Sequence, residues 1–449
     1  MMFRKETEIR ETEIGEIPKD WKIERLGHLI NYVKGKKPKK LYDQKINENN
    51  LPYLTAEYMR GLETPKWCDP KEDPNVIKVN SDDIIMIWDG SYAGHVFTGY
   101  NGALASTMIK IIPKYNNLDK KFMYYYLTIS FQILRGTTIG TGVPHINKKI
   151  FEELYIPLPP LEEQKRIADI LSIIDSSIGT VDRAIVKLEG MKRALLNELL
   201  TGRIRVREEN GKLTFYKETE FQDTEIGRIP KDWYVKRLKE VADFQRGFSY
   251  KSDEKFTEEV PDGYLFLTLN SVKEGGGLKE DGWTWIKSDR LEERHFVKEG
   301  DIVIANTEQS KDGSLLGSPA IVHFPEWYKK DKAVFSHHIS RLLLKINNID
   351  VNFLFYYLSF VQPIARKYHT GTGVWGLDVD KWSTDLLIPL PPIKEQTAIA
   401  EILSTVDKAI ELYRKEKERL LRLKRGLMSV LLTGRVRVIG DVKNVGVVT

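Results

Sequence analysis

The sequence predicts an α/β chain of the mixed α+β kind, built as an internal twofold repeat of two globular regions and two long helices that pair as a coiled coil. Three observations predict it. Two long helical stretches are near copies of each other. Each carries a heptad of apolar residues. Strand-like runs occur in the same order in front of each one.

The helical stretches come first because the rest of the chain is framed by them. One begins Leu154-Tyr-Ile-Pro-Leu-Pro-Pro-Leu-Glu-Glu-Gln and ends Leu-Leu-Thr201-Gly-Arg-Ile-Arg-Val206. The other begins Leu386-Leu-Ile-Pro-Leu-Pro-Pro-Ile-Lys-Glu-Gln and ends Leu-Leu-Thr433-Gly-Arg-Val-Arg-Val438. The offset is 232 at both ends (386 − 154 and 433 − 201), so nothing is inserted between. Pro159-Pro160 and Pro391-Pro392 suit a first helical turn, where a missing N–H costs nothing. Glu162 and Glu163 complement the positive end of the helix dipole. Gly202 and Gly434 stand where a glycine ends a helix. Leu161 to Leu200 then spans ~60 Å at ~1.5 Å per residue.

In the first helix Ile167, Leu171, Ile174, Ile178, Val181, Ile185 and Leu188 alternate steps of four and three. The second continues the pattern with Ile399, Leu403, Val406, Ile410, Tyr413 and Leu420, and breaks at Lys417, the position matching Ile185. A long helix lying on a globular core gives a similar spacing. Two matching seams in one chain favour pairing with each other. Lys417 is then either a polar register residue or a lysine snorkelling at a looser end.

The globular regions repeat too. Thr12-Glu-Ile-Gly-Glu-Ile-Pro-Lys-Asp-Trp21 returns as Thr224-Glu-Ile-Gly-Arg-Ile-Pro-Lys-Asp-Trp233. In region one, residues 51–55, 83–88 and 107–112 read as strands and 122–127 as a short helix. Region two repeats the order with 264–268, 301–304, 339–344 and 353–358. The segment from Gly211 links the halves. The expected division is 1–158, globular; 159–202, helix; 203–390, linker and second globular region; 391–434, helix; 435–449, tail.

Composition narrows the function. Net charge is +5 over 449 residues, so bulk charge alone does not establish nucleic-acid binding. Cys68 is the only cysteine, which rules out an intrachain disulfide and a cysteine zinc site and fits a reducing cytoplasm. No apolar run approaches the ~20 residues of a membrane span, and the N-terminus lacks a signal-peptide core. A Walker A loop, an Asn-Pro-Pro-aromatic methylation motif and His-Glu-x-x-His are all absent. The histidines form no metal spacing; His337-His338 suits a strand end or a loop. Gly371-Thr-Gly-Val-Trp-Gly376 matches G-x-G-x-x-G, but no apolar strand precedes it and no helix follows, so a turn is expected.

The paired Gly-x-Ile-Pro-x-x-Trp and Ile-Pro-Leu-Pro-Pro-x-x-Glu-Gln motifs resemble those of the specificity subunits of type I restriction-modification enzymes, in order and over nearly the whole chain. The resemblance implies two target-recognition domains on an antiparallel helix pair, each reading half of a split, asymmetric site in double-stranded DNA. It also implies two modification (methyltransferase) subunits that bring S-adenosylmethionine, and restriction (translocase/endonuclease) subunits that use ATP and Mg2+. This chain itself is expected to bind no cofactor and to catalyse nothing. A methyltransferase or nuclease acting alone, a coiled-coil scaffold and a stand-alone DNA-binding protein are the rival readings. The resemblance carries over Trp21 and Trp233 as domain anchors, and Glu163-Gln164 and Glu395-Gln396 as helix-start residues.

Candidate DNA contacts come from the residues. Lys34, Lys36, Lys37, Lys39 and Lys40 form a basic loop followed by Tyr42; a duplex attracts such charge through counterion release, although a solvated loop has the same composition. Arg246, Ser249, Tyr250 and Lys251 occupy the matching position in region two. Tyr58 and Arg60, and in region two Asn270, follow a strand. Asn306, Gln309 and Lys311 add amides able to read adenine and a further cation.

Overall fold

The computed structural model describes residues 2–138, 144–209, 211–308 and 313–439. The chain divides into two compact units, one of residues 1–183 with 414–449, the other of residues 184–413. Four helices matter below: α1 (Lys120–Ile129), α2 (Leu161–Leu200), α3 (Val351–Val361) and α4 (Ile393–Leu431). The unit boundary cuts both long helices, so each unit holds part of α2 and part of α4.

In the first unit a four-stranded antiparallel sheet runs in the order 96–97, 84–87, 108–113, 30–34. A second sheet, 67–68, 51–54, 102–104, 78–79, contains a parallel pair between 51–54 and 102–104. The strand Ile84–Ile87 is apolar throughout because it serves two cores. Ile84 and Met86 join the core that includes Trp21, Phe122 and Phe151. Ile85 and Ile87 join the one around Leu54 and Met108. Strand Ile302–Ala305 of the second unit does the same, with Ile302 and Ile304 on one side and Val303 and Ala305 on the other. There the parallel pair joins 264–267 to 332–335. Asp119 caps α1 and Asp350 caps α3, each accepting the N–H three residues on at 2.9 Å.

The long helices pack into these cores at their ends. Ile167 and Leu171 of α2, and Met428 and Leu431 of α4, share the first unit's core with Trp21. Leu199 and Leu200, with Ile399 and Leu403, do so in the second. Along the seam Ile174, Val181, Val406, Ile410 and Leu420 are buried, while Ile178, Ile185 and Leu188 are half-buried. Tyr413 corrects the expectation: it is 41% exposed. Its matching residue, Val181, fits the seam, whereas a phenol is larger and its hydroxyl favours water. Within the first unit the pairs Asp175–Lys424 and Asp182–Lys417, both 2.6 Å, advance seven residues on α2 while retreating seven on α4. The helices there are antiparallel and in heptad register.

The repeated motifs meet at the helix ends. Gly202, φ +69°, abuts Pro230 and Trp233; Gly434, φ +71°, abuts Pro18 and Trp21. A Cβ at either glycine would stand 2.4 Å from the proline ring, so the left-handed conformation and the close approach both demand glycine. The Trp21 indole N–H donates to Glu163 and that of Trp233 to Glu395, each at 3.2 Å. Arg437 clamps Glu163 with two 2.7 Å bonds and also bonds Glu6 and Asp20. Arg205 repeats this on Glu395, Glu218 and Asp232. Glu163 and Glu395 are thus centres of buried ion clusters rather than simple capping residues. Gln164 and Gln396 each accept the backbone N–H of the capping aspartate and donate to two carbonyls, fastening the loop before α1 or α3 to the start of the long helix.

The segment expected to link the halves is a strand. Lys212–Lys217 pairs antiparallel with Ile204–Glu209. Met2–Lys5 pairs with Val436–Ile439 in the matching place in the first unit. The glycine-rich decoy is a hairpin: His369–Thr370 pairs with Trp375–Leu377, and Gly371 at φ +86° opens the turn. The corresponding stretch of region one, Gly140-Thr-Gly-Val-Pro-His145, which lacks the third glycine, lies outside the described residues up to 143, as do residues 440–449 of the tail.

Candidate nucleic-acid interface

In the first unit the basic loop follows strand Ile30–Lys34. Gly35 lets it pass over the backbone: a Cβ there would meet the Ala105 carbonyl at 2.1 Å. Lys36, Lys37, Lys39 and Lys40 are all exposed. The Lys39 N–H donates to Asp73, and the Lys40 ammonium sits 4.7 Å from the Tyr42 ring, whose hydroxyl donates to Glu72. The loop is therefore held at its backbone while its cationic heads stay in solvent, an arrangement suited to phosphates. Lys34 differs. It is exposed as well, but its ammonium is 2.7 Å from Asp89, which also holds His145 at 2.7 Å, so its charge already has a partner in the domain.

Tyr58 lies in the short helix Ala56–Met59 and Arg60 at its end, and Arg60 reaches the turn after strand Ile84–Ile87. Tyr58 makes an edge contact with Tyr100. The Arg60 guanidinium lies 3.3 Å from the centre of the Tyr92 ring, Tyr92 contacts His95, and His95 packs on Phe131. Sequence reasoning missed Tyr92 and His95. The available signal was Gly90-Ser-Tyr-Ala-Gly94 directly after a strand, where both glycines take positive φ and display what lies between them. Arg60 is half-buried and Tyr92 exposed, and an arginine–aromatic stack of this kind can meet phosphates, base edges or base faces.

In the second unit the loop after strand Ala242–Arg246 is tied down by a side chain from outside it. Arg290 bonds Glu254 and the Ser249 carbonyl and lies 4.8 Å from the Phe248 ring; it too was missed. With the Arg290 guanidinium first among its partners, Glu254 is held down to about 2. Arg246, Ser249 and Lys251 are exposed, although Arg246 donates to the His337 carbonyl. Tyr250 is half-buried against Phe266 and His337. Burial pushes the His337 and His338 imidazoles below their ordinary value, leaving both neutral near pH 7, and Thr307 hydrogen-bonds His338 at 2.8 Å. Asn270 is exposed on a short 3-10 turn. Asn306 is a correction: it is buried and its amide donates to Ser340, so it belongs to the interior and cannot reach a base. Gln309 and Lys311 lie outside the described residues. No cluster of three or more metal-ligating side chains occurs among the described residues, and none of the described helices is long and apolar enough to cross a membrane.

Twice-used framework and unlike basic, aromatic loops are the pattern of a two-part reader. The family model for the type I restriction modification DNA specificity domain matches twice, over residues 18–189 and 230–422. The chain belongs to the specificity subunits of type I restriction-modification enzymes. It is similar to the MjaVIII specificity subunit of Methanocaldococcus jannaschii, with 36% identity covering 98% of each chain. It is also similar to the EcoDI specificity subunit of Escherichia coli, with 22% identity covering 86% of this chain and 81% of that one. A crystal structure of the specificity subunit from M. genitalium shares the fold, with a TM-score of 0.56, 16% identity, and coverage of 92% of this chain and 96% of that one. Both matched segments of this specificity subunit run from the Ile-Pro-x-x-Trp motif well into a long helix, so each holds a globular region and its own helix.

Proposed function

We propose that this specificity subunit reads a split, asymmetric site in double-stranded DNA and carries no catalytic step itself. Each globular region takes one half-site. Two modification subunits bring S-adenosylmethionine for adenine methylation, and restriction subunits bring ATP and Mg2+ for translocation and cleavage, in the cytoplasm. The observation that carries this reading is the contrast within one chain. The ion clusters around Glu163 and Glu395 match residue for residue, while the loops at Lys36–Lys40 and Arg246–Lys251 do not. A scaffold needs the first feature and has no use for the second.

The test uses the purified full chain with and without its cognate modification subunit, S-adenosylmethionine and genomic DNA. Methylation at one two-part sequence is expected only with both proteins present. Methyl transfer by the chain alone, or a palindromic or continuous site, would overturn the reading.

A further inference from the structure

We propose that two matching tyrosine–aspartate–lysine clasps set the orientation of each globular region on the helix pair, and so fix the spacing between the half-sites. The inference rests on the split-site reading above. In the first unit the Tyr125 hydroxyl of α1 donates to Asp175 of α2 at 2.8 Å. Asp175 also takes the Lys424 ammonium of α4 at 2.6 Å, and that ammonium lies 5.4 Å from the Tyr125 ring centre. In the second unit Tyr356 of α3 donates to Asp407 of α4 at 2.9 Å. Asp407 takes Lys192 of α2 at 2.6 Å, and Lys192 lies 5.6 Å from the Tyr356 ring.

Each clasp therefore joins three elements: the globular region, the helix of its own repeat and the helix of the other repeat. The helix positions match at the 232-residue offset (407 − 175 and 424 − 192). Around them the copies have drifted: Ile173 corresponds to Thr405, Ser176 to Lys408, and Ile185 to Lys417. Burial pushes both phenols up, so each hydroxyl stays protonated and donates. Packing alone needs no such arrangement. A greasy contact between α1 and a long helix slides or rolls at little cost, whereas a hydrogen bond, an ion pair and a cation–ring contact sharing one carboxylate have a single good geometry. The clasps act through orientation, so Tyr125, Asp175, Lys424 and their matches are positioning residues and not base readers.

The experiment selects duplexes from a random library with the full chain carrying D175N, D407N or the milder Y356F, each checked by thermal melting. A follow-up set keeps the selected half-sites and varies the spacer one base pair at a time. The variants are expected to keep both half-sites while the affinity penalty for a one-base-pair change falls by about threefold to fivefold, the size of a partly exposed ion pair. The charge exchange D175K with K424D should restore part of the penalty. An unchanged penalty in folded D175N and D407N would overturn the proposal. So would equal weakening on every duplex, which is the mark of a structural role alone; Y356F decides the matter if an aspartate variant fails to fold. Failure of the unaltered chain to select any split site would instead sink the split-site reading.

Discussion

Lys417 breaks the apolar seam and pairs with Asp182 across the two long helices, with Nζ 2.6 Å from Oδ1. Seven residues away on each helix, Asp175 and Lys424 form a second pair at the same distance. The two pairs differ in kind. Asp175–Lys424 has a match in Asp407–Lys192. Asp182–Lys417 has none, because the matching positions hold Arg414 and Ile185. A lysine that replaces a seam isoleucine and finds a carboxylate opposite ties that stretch to one register.

The coupling between these residues is measurable. Urea melts of K417A, D182A and the double variant should give an interaction of about 0.3–1 kcal/mol, since the side chains are 38% and 45% exposed. Additive losses would mean that lysine merely snorkels there and contributes nothing to register.

Breaking the buried clusters should cost far more. R205A strands Glu395 and Glu218, whose side chains are 6% and 11% exposed, and R437A strands Glu163, 3% exposed, while Glu6 keeps Arg4 at 3.8 Å. Leaving one buried charge without its partner costs about 3–5 kcal/mol. Both variants should therefore melt much lower than K417A does. A loss under about 1 kcal/mol for either would mean that water reaches those carboxylates freely.

Acid sensitivity follows from Glu254. The Arg290 guanidinium holds its carboxyl at about 2, against an ordinary 4.5. The folded state thus binds fewer protons than the unfolded one between these values, and stability rises with pH through that window. The contribution is complete above about pH 4.5 and is lost as pH falls towards 2. E254Q should be less stable than the parent chain at pH 6, with the difference shrinking steadily towards pH 2. A difference independent of pH would assign the loss to the hydrogen bond that the Ser288 hydroxyl donates to Glu254 at 2.6 Å instead.

Salt dependence tests the basic loop. Replacing Lys36, Lys37, Lys39 and Lys40 by alanine should weaken binding on every duplex and lower the slope of log K against log[salt] by about 0.9 for each phosphate no longer neutralised. An unchanged slope would remove the loop from the interface. Lys34→Ala should change the slope least, because Asp89 already neutralises Lys34.

What was legible in the sequence follows its periodicity. The long helices, the strand order and the paired motifs were all readable, since heptads, apolar runs and repeats are local patterns. The partners of Glu163 were not. Arg437 and Glu163 are 274 residues apart, and no local rule links an arginine in a terminal strand to a glutamate in a first helical turn. Asn306 was misread for a related reason. Polar residues after a strand suggest a surface loop, but its amide is taken by Ser340 on a neighbouring strand, 34 residues on. The basic loop was visible as composition. That Lys34 pairs with Asp89 while Lys40 lies against the Tyr42 ring depends on tertiary placement.

The last prediction uses the register. One heptad separates the Asp175–Lys424 and Asp182–Lys417 pairs, so that heptad can be duplicated on both helices at once. Repeating Ser176–Asp182 in α2 and Lys417–Leu423 in α4 inserts opposing segments. Both original pairs persist, and a further Asp182–Lys417 pair is added. Seven residues add ~10 Å of helix, worth ~3 bp of duplex at ~3.4 Å each. On the split-site reading, the spacer should lengthen by about that amount with both half-sites unchanged. The added length also turns the groove by about a third of a helical repeat of ~10 bp, so the globular regions must rotate to follow it and efficiency should fall. Sequencing methylated adenines in cells carrying the lengthened chain and its modification subunit decides the matter. Efficient modification at the original spacing would mean that the helices do not set the distance.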